Sequence, residues 1–212
     1  MIQRYDSGAA FLAENQAFLD TKPQISAFMA LDAPLLEKTD KINYAARCEK
    51  DGKTLLAMKV EPYHLQLFGD ADCAGELLDF LVRGGYEIRN YLSEKTLGDA
   101  AAREMEARFG IRYEEALAMA FMEARTLTEP SSPEVEAANE GDLDEIYACM
   151  ERFLVECNLQ DKPNREAMRR SIGGFRVIRA DGKIVSVGKA VRDIGESMRI
   201  TNVYTREAYR GK

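Results

Sequence analysis

Hydrophobic and polar positions repeat with the period of an α-helix in some segments and with the two-residue period of a β-strand in others. This pattern predicts helices and short strands in alternation. In the C-terminal part, apolar residues from Leu143 to Leu154 share one helical face, and Asp142 with Glu145 resembles a capping box at its start. Apolar runs bounded by turn residues predict strands after it. The predicted elements there are strand 134–138, helices 142–156 and 164–173, and strands 175–180, 183–192 and 198–205.

The N-terminal part has similar patterns and is longer. After two helices and a hairpin it is predicted to continue through strand 64–68, helix 71–82, strand 86–91, helix 96–109 and the long apolar strand 113–125. The proline-containing segment Glu129–Pro133 then predicts a linker. These patterns indicate an α/β (α+β mixed sheet) protein with two domains, residues 1–128 and 134–212.

An internal repeat relates the two parts. Asp51-Gly52-Lys53 and Asp181-Gly182-Lys183 each stand between apolar runs, which predicts a β-hairpin in both copies. Lys59 and Lys189 follow at the same offset, and a Lys-Pro pair separates two predicted helices upstream of each hairpin. We therefore expect both parts to share the order helix, helix, hairpin and strand.

The composition narrows the class of protein. Of the 212 residues, 46% are hydrophobic and 31% are charged, a mixture that excludes a disordered or collagen-like chain. The longest wholly apolar run is Ala116–Met122, far below the roughly 20 residues that a membrane-spanning helix needs. The polar N-terminus begins no signal peptide. We expect a cytoplasmic protein with no membrane partner.

Charge and cysteine usage exclude further classes. The net charge is −7 and the basic residues are scattered, which argues against a nucleic acid partner. Cys48, Cys73, Cys149 and Cys157 lack C-x-x-C spacing, so reduced thiols are expected rather than a metal site or a disulfide framework. His64 cannot form a zinc site alone and is expected to be a half-buried packing residue.

The most specific sequence lies at the end of the chain. The last predicted strand finishes with Val203-Tyr204-Thr205, and Arg210-Gly211-Lys212 follows after a short interval. These two segments resemble the acetyl-CoA site of GNAT-type N-acetyltransferases, in which such a strand runs into a loop of the form [QR]-x-x-G-x-[GA]. A diphosphate needs converging backbone N–H donors, which a small-residue loop at a helix N-terminus provides.

The resemblance implies tandem GNAT-like domains and an acyltransferase that moves an acetyl group from acetyl-CoA to an amine of a small molecule or peptide. It also implies that strand residues 202–205 splay from their neighbour, so that main-chain groups of Val203 and Thr205 meet the acetyl and pantetheine portions and polarise the thioester carbonyl. Arg210 and Lys212 would add positive charge near the phosphates, and Gly211 would allow close approach of the backbone. No metal is implied.

The first copy departs from this pattern at the corresponding loop. Gly69–Gly75 contains Asp70 and Asp72, which would repel a diphosphate, and the loop has no lysine or arginine to compensate. We therefore interpret residues 1–128 as a degenerate partner domain without a CoA site.

The sequence does not assign the catalytic residues. Deprotonating an amine requires a general base within hydrogen-bond reach, and the carboxylates of Glu156, Asp161, Asp193 and Glu196 all lie on predicted loops or element ends. The segment Cys157–Pro163 between the two helices is expected to line the acceptor side.

The second copy stops at Lys212, within the expected loop pattern. We therefore expect a truncated chain that binds acetyl-CoA weakly or not at all and shows no turnover. The alternative is a catalytically silent tandem module for binding or assembly. An open edge on strand 198–205 predicts either a homodimer through residues 134–212 or poorly ordered last residues.

Overall fold

A computed structural model describes residues 1–37, 40–124, 126, 134–159, 162–192 and 198–211. The chain separates into two compact units, an N-terminal unit, Met1–Glu123, and a C-terminal unit, Ala124–Lys212. Both combine helices with a β-sheet, so the predicted mixed α/β class is confirmed. The expected linker Glu129–Pro133 lies outside the described residues.

The N-terminal unit begins with a strand, Ile2–Tyr5, that the hydrophobic pattern did not predict, and continues with the two helices and three strands that it did. Helix α1 starts where the Ser7 hydroxyl accepts a hydrogen bond from the Ala10 N–H, 3.2 Å away, and α2 starts at Pro23, a residue suited to a first helical position. The elements are β1 Ile2–Tyr5, α1 Gly8–Leu19, α2 Pro23–Asp32, β2 Tyr44–Lys50, β3 Lys53–Lys59, β4 Leu65–Gly69, α3 Ala74–Arg83, β5 Tyr91–Leu92 and α4 Lys95–Phe109.

The sheet of this unit has the order β1-β2-β3-β4-β5. Its first four strands are antiparallel, whereas β5 pairs with β4 in parallel through two residue pairs, Leu65↔Tyr91 and Gln66↔Leu92. Beyond Gln66, strand β4 continues to Gly69 without β5 beside it.

Helices cover both faces of this sheet. Strands β2, β3 and β4 are buried along most of their length, and their successive apolar side chains point to opposite faces. On one face α3 and α4 contribute Leu77, Leu78, Leu81, Leu97 and Met105, and on the other α1 and α2 contribute Phe11, Leu19 and Met29. The unit is therefore a helix, sheet and helix sandwich with two separate cores.

The C-terminal unit repeats the start of this order with a smaller sheet. Its four strands are antiparallel in the order β6-β7-β8-β9. The elements are β6 Glu136–Ala137, α5 Leu143–Glu156, α6 Arg165–Arg170, β7 Phe175–Ala180, β8 Lys183–Arg192 and β9 Met198–Thr205.

Helices of the described part pack on one face of this second sheet. Ile146, Cys149 and Met150 of α5 and Met168 of α6 form a cluster with strand residues that include Val177 and Tyr204. The other face carries β9 side chains that are largely open to solvent: Met198 is 57% exposed, Ile200 72% and Val203 57%.

The two hairpins are closely alike. Asp51 and Asp181 have φ values of 49° and 50°, and the glycines that follow have 75° and 74°, which is the backbone of a type I′ turn. Lys59 pairs with Tyr44 at the start of β2, and Lys189 pairs with Phe175 at the start of β7. The landmarks of the sequence repeat thus occupy equivalent positions in the two units.

Two strand predictions were wrong. Of residues 86–91 only Tyr91 joins the sheet, because Tyr86 instead packs its ring 4.8 Å from that of Tyr44. The predicted strand 113–125 has no ladder partner in its described residues 113–124. Its aromatic side chains contact neighbouring elements instead: Tyr113 lies 5.0 Å from Tyr91 and Phe121 lies 6.2 Å from Phe28, measured between ring centroids.

Other predicted bounds needed smaller corrections. The strand expected at 134–138 is paired only at Glu136–Ala137, and the helix expected at 164–173 ends at Arg170. His64 is exposed rather than half-buried. None of the helices in the described ranges has the length and hydrophobicity needed to cross a membrane.

Candidate functional site

A β-bulge interrupts β9 within the strand that the sequence singled out. Gly188 of β8 faces two residues of β9, Asn202 and Val203, because the pairing register shifts there. Asn202 adopts a left-handed φ of 55°, which asparagine tolerates better than most residues. A bulge changes the side to which the following residues point. Val203 therefore lies on the same open face as Ile200 instead of pointing into the core.

Within the part of the chain that the structure describes, the last residues of β9 form an open sheet edge. β9 is the final strand in the sheet order, and Arg206 N–H donates to the Val185 carbonyl on the β8 side, 2.9 Å away. Since main-chain groups alternate between the two sides of a strand, those of Val203 and Thr205 face away from β8. The Thr205 carbonyl there accepts a hydrogen bond from Arg210 Nε at 2.7 Å.

Arg210 is held by three neighbouring groups. Besides its bond to Thr205, its guanidinium donates to the Glu156 carboxylate at 2.6 Å and lies 5.4 Å from the centre of the Tyr204 ring. The Tyr204 hydroxyl also donates to Glu156, at 3.4 Å. Arg210 is therefore neutralised at the end of α5, whereas the sequence suggested a cation available for phosphate.

The turn after β9 is short and is fixed at its start. Residues Glu207–Tyr209 form one 3₁₀ turn, and Gly211 beyond it has a φ of 70° with open space around its Cα. Arg206 donates to the Ile184 carbonyl at 2.6 Å, and Glu145 accepts from the Ile184 N–H at 2.9 Å. The turn is thus tied to the β7–β8 hairpin and, through Glu145, to α5.

The structure brings most of the expected cofactor residues together. Val203, Tyr204 and Thr205 end the strand, and Arg210 and Gly211 follow in the turn beside them. Lys212 lies outside the described residues.

Only one of the four base candidates falls in the described part of the chain. Glu156 contacts Arg210 and Tyr204, as given above, and Asp161, Asp193 and Glu196 lie outside the described residues. In the expected acceptor segment, Leu159 N–H donates to the Leu154 carbonyl and Asn158 has a φ of 54°, a backbone pattern that ends a helix. Cys157 is exposed there.

The corresponding turn of the N-terminal unit differs in its charges. Asp72 forms an ion pair with Lys53, and Asp70 accepts a hydrogen bond from the Thr54 N–H at 2.9 Å. The sequence suggested that no basic residue offsets these aspartates, and this was wrong, because the hairpin supplies Lys53. Because Lys53 is paired with Asp72, it adds no uncompensated positive charge to the turn.

Neither a comparison with protein-family models nor a comparison with characterised proteins finds a match for this chain. The part of the chain that the structure describes contains no group of three or more His, Cys, Asp or Glu residues that could hold a metal ion.

Sequence reasoning missed two features of this site, and only the first of them has a signal in the sequence. The bulge is marked by a break in the period-two pattern, since exposed apolar residues stand at 198, 200 and then 203. The contact between Glu156 and Arg210 joins residues 54 positions apart, and no local pattern predicts it. Lys189 was noticed only as a repeat landmark. Burial lowers its pKa, and its ammonium donates to the Ser171 hydroxyl at 2.9 Å.

Proposed function

We propose that this chain is part of an N-acetyltransferase that takes an acetyl group from acetyl-CoA and transfers it to an amine. The C-terminal unit supplies the contacts to the acetyl donor at the end of β9. The observation that carries the proposal is the edge of β9 at Val203 and Thr205, beside which no other described strand pairs. It is directly followed by a turn that contains Gly211 and Arg210, and Arg210 bonds the Thr205 carbonyl.

The main chain of β9 suits an extended ligand that carries amides and a thioester. The bulge at Asn202 decides to which side of the sheet the following residues point. As a result, the Val203 side chain lies on the solvent-exposed face, and its main-chain groups face the free edge. A main-chain N–H at this edge is a fixed donor for a thioester carbonyl, and such donors contribute about 3 kcal/mol to lowering an acyl-transfer barrier.

The turn after the strand suits the phosphates of the donor. Arg210 provides a planar guanidinium that forms paired hydrogen bonds with phosphate oxygens. To do so it must exchange Glu156 for the ligand, and because both side chains are more than 40% exposed, this exchange costs little. Gly211 leaves room for close approach because no atom of the described residues, its chain neighbours apart, lies within 4 Å of where its side chain would begin.

The silent tandem module remains the second candidate, and one observation favours it. The turn after β9 and the corresponding turn after β4 each carry a charged residue that is already paired. Arg210 pairs with Glu156 in the C-terminal unit, and Asp72 pairs with Lys53 in the N-terminal unit. A unit whose charges are satisfied internally can serve in assembly without binding an anion.

Saturation-transfer NMR with millimolar acetyl-CoA tests the proposal, since the method detects weak binding. The wild-type chain is expected to saturate the pantetheine and adenine protons of acetyl-CoA. Arg210→Ala is expected to reduce the transfer, whereas the control Arg170→Ala, which removes an exposed arginine of α6 paired with Glu166, leaves it unchanged. Equal signals in both variants, or no transfer in the wild type, would favour the silent module.

A further inference from the structure

A cavity of about 630 Å³ lies in the N-terminal unit, far along the chain from the proposed acetyl-CoA contacts. It opens between α2, the end of β4 and the start of α4. Its apolar walls include Ile25, Phe28, Phe68 and Leu97 from these elements, together with Met119 and Phe121 from the segment after α4. Its size falls within the range of small-molecule sites, which are mostly apolar with a few fixed polar groups.

One wall of this cavity is an unpaired strand edge. Parallel pairing between β4 and β5 ends at Gln66, while β4 runs on to Gly69. The Leu65 N–H donates across this edge to the Asn90 carbonyl, and the Asp70 N–H donates to Thr54 on the opposite side. By alternation, the main chain of Gly69 faces the β5 side, where no strand lies beside it in the described residues. The cavity therefore contains main-chain groups suited to one amide.

The charges around the cavity are balanced. The ionic groups that line it are two lysines, Lys22 and Lys95, and two carboxylates, Asp70 and Glu94. Lys22 pairs with Glu94 at 2.9 Å, and Lys95 pairs with Glu115 at 2.9 Å, so both cations already have carboxylate partners. An anionic ligand would have to compete with these pairs. A cationic ligand would meet the two lysines and would find Glu94 already paired and Asp70 accepting a hydrogen bond from the Thr54 N–H.

We propose that this cavity binds an uncharged, apolar small molecule that carries an amide group. Its apolar body lies between Phe28 and Leu97, and its amide bonds with the free edge of β4 near Gly69. Such a ligand leaves the Lys22–Glu94 and Lys95–Glu115 pairs intact and brings no charge that would have to compete with them. This site is independent of the proposed acetyl-CoA contacts.

Three matched probes test the proposal on the full chain by two-dimensional NMR: N-acetyl-L-leucinamide, its carboxylate counterpart N-acetyl-L-leucine, and its amine counterpart L-leucinamide. The uncharged amide is expected to shift the backbone signals of residues 66–69 and 92–97, and both charged probes are expected to bind about tenfold more weakly. Tighter binding of either charged probe, or shifts confined to other residues, would overturn the proposal. This comparison needs no variant.

A cavity-filling substitution provides an independent check. Ile25→Trp places an indole within the cavity from a partly exposed helix position, and Ile42→Trp adds the same group at a 44% exposed site that does not line the cavity. The first substitution is expected to abolish binding of N-acetyl-L-leucinamide and the second to preserve it. Undiminished binding by a folded Ile25→Trp protein would contradict the proposed site.

Discussion

The carboxylate of Glu156 and the guanidinium of Arg210 lie 2.6 Å apart and join the end of helix α5 to the turn after β9. Tyr204 completes the contact, with its ring beneath the guanidinium and its hydroxyl on the same carboxylate. The pair connects a candidate base to a candidate phosphate contact, so it offers a direct way to test both roles.

Glu156→Gln is predicted to strengthen acetyl-CoA binding, because it releases Arg210 from its carboxylate partner. The pair is exposed, and exposed pairs are weak, so we expect a gain of about twofold to fivefold in affinity. A saturation-transfer titration measures it. Unchanged binding in Glu156→Gln would show that the pair with Glu156 does not keep Arg210 from the ligand.

Asn202→Val is predicted to destabilise the C-terminal unit. A β-branched residue fits poorly at a φ of 55°, and residues held in such conformations cost on the order of 1–3 kcal/mol. Urea unfolding followed through C-terminal signals measures the change. Thr201→Val, at the neighbouring regular position of β9, serves as the control and should change stability little. Equal effects of the two substitutions would show that the bulge is not specified by Asn202.

Asp142 is predicted to make the stability of the C-terminal unit fall in acid. Burial pushes the pKa of this carboxyl upward, but the Asn139 N–H and the Arg179 guanidinium, 2.7 Å away, outweigh burial and hold the pKa below its usual value of 3.8. The folded state therefore binds this proton less readily than the unfolded state. Its stabilising contribution is present above about pH 4 and is lost as the pH falls further.

Urea unfolding at several pH values between 7 and 3 follows this loss in solution. Asp142→Asn should lower stability at neutral pH by about 1–2 kcal/mol, since it weakens a helix cap, and should flatten the acid dependence. Asp144→Asn, which changes a largely exposed carboxylate two residues away, is the control. An unaltered acid profile in Asp142→Asn would assign the pH dependence to other groups.

The open face of β9 is predicted to promote self-association. Ile200 is 72% exposed on an edge strand, and an exposed apolar edge is a template for pairing with another chain. Ile200→Lys should shift the chain toward monomer in light scattering at high concentration. Ile42→Lys, which changes an exposed isoleucine of the N-terminal unit, should not. A wild-type chain that stays monomeric at every concentration would contradict this prediction.

The sequence predicted best those elements whose ends carry turn residues. Strands 175–180 and 183–192 were predicted with the bounds that the structure shows, because the Asp181-Gly182 turn fixes where they meet, and strand 198–205 was predicted with its bounds although a bulge at Asn202 interrupts its alternation. The predicted strand 113–125 failed because an apolar pattern does not reveal whether a neighbouring strand edge is available to pair with it.

The candidate site was partly predictable for the same reason. The strand end at 203–205 and the turn at 210–211 follow from local sequence, whereas the partner of Arg210 depends on where α5 ends in three dimensions. Cavity walls in the N-terminal unit come from residues 22 to 121, a separation at which periodicity carries no information.

Two-dimensional ¹H–¹⁵N NMR with acetyl-CoA shows directly which residues of the chain contact the ligand. We expect concentration-dependent shifts at Val203, Thr205 and Gly211, with the loop at residues 69–75 of the N-terminal unit unchanged. Shifts centred on residues 69–75, with β9 unaffected, would contradict this expectation.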